Sequence, residues 1–529
     1  MTKSRRPLRR IVRSATFALA LGGFFLAAGA KAEDLRIGVP GLPTSMDPHY
    51  HNTQVNLQYV NHVFDPLVGQ DANQQTYPRL AVSWKALNDT TWEFKLRQGV
   101  KWHDGTPFTA DDVIFTFERA PKVPNSPSSF AAYINDKTIK KIDDHTIHIT
   151  TKDPAPLTPL DLARFAIVSK HKGTGATTQD YNDGKVTVGT GSYRFKEWVQ
   201  GDRIVLEANP NWWGGKPKWD RVVFKPIPLG PTRIAALLNN DVDVIDNVPT
   251  TDVADLKKRA NLTVTQGASN RVIFLNVDSF RDVSPEVYGK DGKPLASNPL
   301  KKADVRRAMS MAINRTAIQE RIMGGLSVPT GQIVPKGFFA FVAELQPVFD
   351  PEGAKALLAK AGYPDGFKMT INGPGDRYVN DARITEAIAQ MLTRVGIETD
   401  VKIHPGSVYF TKGSKYEFSL SLFGNGAHSG GPYELMQGVI HSPDKERGYG
   451  STNRGRYINA EFDKLFEEAE RTVDDNKRQA LLIDATKTVI GEMGIIPIHH
   501  QVNTWAAKKG LRYEPRTDEH TLAESVSKD

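Results

Sequence analysis

The chain has 529 residues, 68 Lys+Arg against 60 Asp+Glu, a formal net charge of +8 and no cysteine. The missing cysteine excludes disulfides, thiolate nucleophiles, Cys-ligated zinc, iron–sulfur clusters and a lipid anchor on a cleavage-site Cys. At about 100–200 residues per domain, the length sets a prior of about three domains.

The N-terminus, "MTKSRRPLRRIVRSATFALALGGFFLAAGAKAED", joins a cationic start to an apolar run from Ala15 to Ala28 and a small-x-small site, Ala30-Lys31-Ala32. That is the pattern of a secretory signal peptide, too short and wrongly flanked for a membrane span, with cleavage expected after Ala32. Ser4-Arg5-Arg6-Pro7-Leu8 suits a twin-arginine route and the general export route equally. The segment 1–32 carries seven cations and no acid, so residues 33–529 drop from +8 to +1. A nearly neutral surface gives no electrostatic reason to expect nucleic acid or anionic lipid as a partner. No later stretch approaches 18 consecutive apolar residues, so no transmembrane segment is expected. An exported chain without a lipid tether is expected in a Gram-negative periplasm.

A strand is expected over Leu35–Val39, followed by a polar loop through Tyr50. "TTWEFKLRQGVKW" alternates apolar residues at Trp92, Phe94 and Leu96, then Val100 and Trp102 after Gly99, which predicts a hairpin pair. "HTIHITT" alternates again and places His145 and His148 on opposite strand faces, where they share no metal. "GPTRIAALLNNDVDVID" predicts a helix with Pro231 near its first position and then a short strand. "NRVIFLNVD" and "FKMTI" read as strands. Tyr378 to Val395 reads as a helix with Ile384, Ile388, Met391, Leu392 and Val395 on one face, and "IETDVKI" as a further strand. Strand, helix, strand implies a parallel pair with a right-handed crossover. Further on, a strand is expected over Tyr416–Phe423 and another in "IPIHHQV", whose adjacent His499 and His500 face apart.

"WHDGTPFTADDVIFTFER" sets His103 beside Asp104 and near Asp111 and Asp112, the residue types of a general acid–base site. Each has a structural role instead. Thr109 is placed to cap a helix with Asp112 three residues on, Phe108 and Val113 stand at the staple positions, and the aspartates complement the helix dipole. Asp104-Gly105 is turn chemistry.

The same region, "LAVSWKALNDTTWEFKLRQGVKWHDGTPFTADDVIFTFER", resembles the opening block of the family 5 bacterial extracellular solute-binding proteins, the peptide-, nickel- and opine-type receptors of ABC importers. The likeness continues in family order through "GTGSYRFKEW", "NPNWWGGKPKWDRVVFKPI", "RIAALLNNDVDVIDNVP", "ADVRRAMSMAINRTAI", "FDPEGAKALLAKAGYPDGF", "NRGRYINAEFDKL" and "GIIPIHHQVNTWAAKKGL". The resemblance implies an α/β, two-lobed periplasmic-binding-protein fold with an extra domain, three domains of the cluster C type. It places domain I at 33–78, 190–270 and 500–529, domain II at 79–189 and domain III at 271–499. It also implies a monomer that hands a small-molecule solute to an inner-membrane ABC permease, with no cofactor and no catalytic step.

Ligands of open α/β sheets bind beyond the carboxyl ends of strands. After "FKMTI", Arg377 and Tyr378 stand at a helix-initiating loop, where a guanidinium and helix N–H groups suit an anion. The competing reading pairs Arg377 with Asp376 or Asp381. "YEFSLSLFGNGAHSGGPYE" supplies Asn425, His428 and Tyr433. Peptide-binding relatives keep a Trp and an Asp about here, the Asp holding the peptide ammonium, whereas this chain has Phe423 and Asn425. Tyr50 and Asn276 complete the candidate set. "AHSGG" also resembles a degenerate nucleophile elbow, so a secreted serine hydrolase using Ser429 competes, as does a metal or metallophore receptor.

Overall fold

A computed structural model describes residues 1–2 and 33–529, so nearly all of the export signal expected over 1–32 lies outside the described residues. The spine is a twelve-stranded sheet. In the first half of the chain Asp34–Val39 pairs in parallel with Arg221–Pro226 and Val244–Asp246. In the second half Phe367–Pro374 pairs in parallel with Ile397–His404 across the helix Asp381–Arg394, the expected crossover unit.

Two long antiparallel strands, Leu262–Val277 and Ile496–Lys508, link these regions. Trp505 and Ala507 lie in the core of the first lobe, while Ile496 and Ile498 lie in a core of the second. The paired strands thus pass from one hydrophobic core to the other, and their register breaks between Ala268 and Val272 and again between Ile273 and Phe274. Extra residues at such breaks bend and twist a ladder. The family-derived limits at 270/271 and 499/500 fall inside these two strands.

"RVIFLNV" has no polar face because the second lobe is three layers deep. Ile273, Leu275 and Val277 pack with Leu300, Val305 and Ile388 on one side of the sheet. Val272 and Phe274 pack with Phe462, Phe466 and Leu482 on the other. A strand buried on both faces reads as a continuous apolar run.

The four-stranded sheet of Ala81–Asn88, Thr91–Leu96, Thr146–Thr151 and Lys137–Asp143 belongs to the first lobe. It corrects the expected hairpin. Thr91–Leu96 pairs with Ala81–Asn88 and not with Val100–Trp102, because Gly99 turns the chain away at φ 75° and residue 101 reaches only an isolated bridge to Pro107. A second correction concerns Tyr416–Phe423. The strand is Leu420–Gly426, displaced because Tyr416 adopts a left-handed conformation and Arg281 ties down the carbonyls of Tyr416 and Phe418. Asn425 therefore sits on a strand, opposite Val272, and not in the loop beyond it.

The helix Ala110–Arg119 carries the expected capping box, with the Thr109 hydroxyl accepting from Asp111 N and Asp112 Oδ2 accepting from Thr109 N at 3.0 Å. His103 joins this region to the first lobe: its Nε2 donates to Gly191 O at 3.0 Å and its Nδ1 accepts from Gly189 N at 3.2 Å. The polar cluster of the opening block is a fold element.

Candidate functional site

Between the lobes lies a cavity of about 750 Å³. The first lobe contributes Asn52 and Thr53 with the start of the helix Gln54–Val63, the hairpin of Val68–Gln70 and Thr76–Pro78, Arg164, and the C-terminal segment from Glu514 to Ser525. The second lobe contributes Arg377, Asn425, Gly426 and His428, and Arg271 enters from the crossing strand. The hairpin reaches across to the second lobe. Gln74 Nε2 donates to His428 O at 2.7 Å and Ala427 O at 3.1 Å, and Gln70 Nε2 donates to His428 O at 3.3 Å. These contacts hold one end of the cleft shut.

The cavity wall is rich in charge, most of it already paired. Arg271 binds Glu519 at 3.1 Å, Arg516 binds Asp518 at 2.5 Å, and Arg79 binds Asp65 at 2.6 Å with Glu524 at 3.7 Å. Burial works to raise the Asp518 carboxyl, but His520 and Arg516 outweigh it and hold it at about 2. His428 is pushed down to about 3, first by burial and then by the nearby charges of Arg164 and Arg271. Its neutral ring accepts from Asn270 Nδ2 at 3.3 Å. Arg377 and Arg164 stand apart from this pattern, since neither guanidinium has a carboxylate within salt-bridge distance among the described residues.

Of the seven candidate residues, the structure brings Arg377, Asn425 and His428 to the cavity. The expected competition for Arg377 does not arise at its side chain. Asp381 accepts from the backbone N–H groups of Arg377 and Tyr378, both at 2.9 Å, and Asp376 accepts from Gly406 N. The exposed guanidinium lies over the Tyr378 ring, 5.2 Å from its centroid. Tyr378 is buried in the core below, its hydroxyl donating to Gly424 O at 3.3 Å. Tyr433 is buried among Val334, Phe338 and Met436, and its hydroxyl accepts from Arg478 Nε at 3.0 Å. Asn276 is buried on its strand, and Tyr50 stands two residues before the segment that lines the cleft.

Ser429 donates to the half-buried Glu434 at 2.8 Å, and no imidazole stands as its base among the described residues. His499 and His500 are both buried on the crossing strand and pushed down to about 3 and about 4 by burial. Among the described residues no group of three or more His, Asp or Glu has metal-holding geometry.

Sequence reasoning missed Asn52, Arg164, Arg271 and the C-terminal "EPRTDEH" as lining residues. The C-terminal stretch carries a signal in its dense alternation of charges after a strand. Arg164 carries none, since it is a lone arginine in an apolar turn, "LARFA", within the segment that the resemblance assigns to domain II.

The model of the bacterial extracellular solute-binding proteins, family 5 (middle region), matches residues 75–447. The chain is similar to the dipeptide-binding protein of Escherichia coli K12, 25% identical over 517 residues that cover 91% of this chain and 92% of that one. It is also similar to the glutathione-binding protein GsiB of Escherichia coli O157:H7, 28% identical over 74% of each chain. Among solved structures, HbpA2 from Haemophilus parasuis superposes with a TM-score of 0.81 at 23% identity, covering 94% of this chain and 100% of that one. No helix among the described residues is long and apolar enough to cross a membrane. With a two-lobed fold, a charged cavity between the lobes and a family match over most of its length, the chain belongs to the bacterial extracellular solute-binding proteins, family 5, receptors that serve ABC permeases.

Proposed function

We propose that the protein is a monomeric, unanchored periplasmic receptor that binds a polar anionic solute, peptide-like or opine-like, and releases it unchanged to an inner-membrane ABC permease. The division into domain I (33–78, 190–270, 500–529), domain II (79–189) and domain III (271–499) is part of this reading, with the crossing strands as the hinge. Affinity arises because closing the lobes removes water from the solute's charges and favours the closed state.

The observation that carries the anionic reading is Arg377, a cavity guanidinium with no carboxylate partner beside three others that are paired. The glutathione-binding name of one relative supports an acidic peptide-like solute. Neutral Asn425, where peptide receptors of the family keep an acid, argues against a simple peptide anchored by its free amine. Truncation in Arg377→Ala leaves a solute charge unpaired in the closed cleft. Solvent reaches this side chain, so the expected loss is at the low end for such pairs, about 2 kcal/mol or about 30-fold in Kd. Calorimetric titration with the solute recovered from the purified protein reads it. Unchanged affinity removes Arg377 from the site, and a solute recovered chemically altered replaces the receptor reading with catalysis.

A further inference from the structure

A second cavity, of about 410 Å³, opens on the surface of the second lobe and shares no lining residue with the one between the lobes. Three elements form it: the helix Arg315–Arg321, the C-terminal half of the helix Asp381–Arg394, and the chain that enters the helix Pro351–Lys360. Its wall is apolar, with Ala317, Ile322 and Met391 half-buried and Phe349 51% exposed. Phe349 belongs to no hydrophobic core of the lobe, so its ring stands against this wall with one side in water.

The rim is cationic. Arg321 and Arg394 both line the cavity and no Asp or Glu does. On neighbouring helices Arg307 is paired with Asp304 at 3.0 Å and Lys355 with Glu352 at 2.9 Å, whereas neither Arg321 nor Arg394 has a carboxylate within salt-bridge distance among the described residues. Asn314 adds a donor at the same mouth. Its Oδ1 accepts from Ala317 N at 2.8 Å and caps the first helix, while its Nδ2 has no protein partner among the described residues. Each arginine is the last residue of its helix, where a cation complements the dipole. The dipole accounts for one cation at each end, but not for two that meet at one apolar cavity free of acids.

We infer that this cavity is a second ligand site, which takes a small amphipathic anion: an apolar body against Phe349, Ile322 and Met391, with a carboxylate or sulfonate between Arg321 and Arg394. Its volume of about 410 Å³ lies within the range of small-molecule sites. Burial of the apolar body supplies most of the affinity, and the guanidiniums select the charge, because exposed ion pairs contribute little. The site is distinct from the solute cleft. The helix Asp381–Arg394 starts beside Arg377 and ends at this cavity, and its 14 residues at about 1.5 Å each set the two ends about 20 Å apart.

The test is fluorescence titration of the purified protein with anilinonaphthalene sulfonate, an apolar body bearing one sulfonate, followed by displacement with octanoate and with octanol. These two share a tail and differ in charge. One saturable site is expected, from which octanoate displaces the dye at least about threefold more readily than octanol does. The double variant Arg321→Glu, Arg394→Glu should weaken the dye and octanoate at least about tenfold and leave octanol within about twofold, which shows that the apolar wall is intact. Phe349→Ala should weaken all three. Arg383→Glu, the same charge change on the same helix but outside the cavity, should weaken none.

Dye binding within twofold of wild type in the double variant or in Phe349→Ala overturns the site. So does the absence of saturable binding. Equal displacement by octanoate and octanol overturns the anionic class, and an equal loss in Arg383→Glu assigns the effect to overall charge and removes the site.

Discussion

Gly189→Ala is expected to destabilise the first lobe by about 4 kcal/mol, enough to stop it folding at 37 °C if its margin is ordinary. A Cβ at this position would lie 1.7 Å from Val63 O and 2.6 Å from Val63 C, backbone atoms that no rotamer change moves. Relief requires the 189–191 loop to back away from the end of the helix Gln54–Val63. That movement breaks the bonds from Gly191 N to Val63 O and from Gly189 N to His103, and the bond from His103 N to Gly189 O. Overpacking costs about 1–3 kcal/mol, and leaving buried groups unbonded adds a comparable amount. Seven of the eight tryptophans lie in or against the first-lobe core, and the eighth, Trp212, touches Trp213. Tryptophan fluorescence during urea unfolding therefore reports this lobe. Gly41→Ala, where a Cβ meets nothing within 4 Å, should leave the midpoint nearly unchanged. Equal midpoints for the two variants would mean that the loop is not held against the helix.

The second large effect is acid sensitivity of the same lobe. His49, His62 and His103 each donate from one ring nitrogen and accept at the other, so only the neutral ring fits. His49 bonds Ala166 O and Arg119, His62 bonds Gln58 O and Ala523 N, and His103 bonds Gly191 O and Gly189 N. Burial pushes all three below their ordinary value, His62 and His103 to about 4. A base with a depressed folded pKa binds fewer protons folded than unfolded. Its contribution is complete above about pH 6.5 and is lost as pH falls toward the folded value.

At pH 5 each histidine costs about 2 kcal/mol, or about 6 kcal/mol together. Two acids, the half-buried Asp161 and the buried Asp246, act the other way. Burial raises Asp161 and Asp246 to about 6, so each regains about 1.4 kcal/mol between pH 7 and pH 5. The histidines win by about 3 kcal/mol. Urea midpoints by tryptophan fluorescence should fall accordingly between pH 7 and pH 5, and a midpoint that is flat or rises would show that these rings accept protons in the folded state.

Much of the fold is legible in the sequence where the determinant is local. The Thr109 cap and the helix between two parallel strands follow from spacing, although the helix starts at Asp381 and not at Tyr378, because Asn380 is left-handed and the N–H groups of Arg377 and Tyr378 turn to the Asp381 carboxylate. The strand Leu420–Gly426 does not, because Gly424 and Gly426 weaken strand propensity and only pairing with Arg271–Ile273 extends it to residue 426. The site is legible to a similar degree. Arg377 announces itself by standing at a strand-to-helix loop. Tyr378 and Tyr433 look equally suitable in sequence, yet each ring is drawn into a core by its apolar neighbours. Asn52 and Arg164 become visible only when three distant segments, 50–53, 131–133 and 157–166, meet at the cleft.

The central claim is that the cavity between the lobes holds a small anionic solute without changing it. Native mass spectrometry of the purified protein, repeated after denaturing release and rebinding, tests this most directly. A receptor shows a single non-covalent 1:1 adduct, recovered at the same mass on release, rebound by the emptied wild-type protein and rebound weakly by Arg377→Ala. A solute recovered at an altered mass, or one rebound by Arg377→Ala as tightly as by wild type, contradicts it.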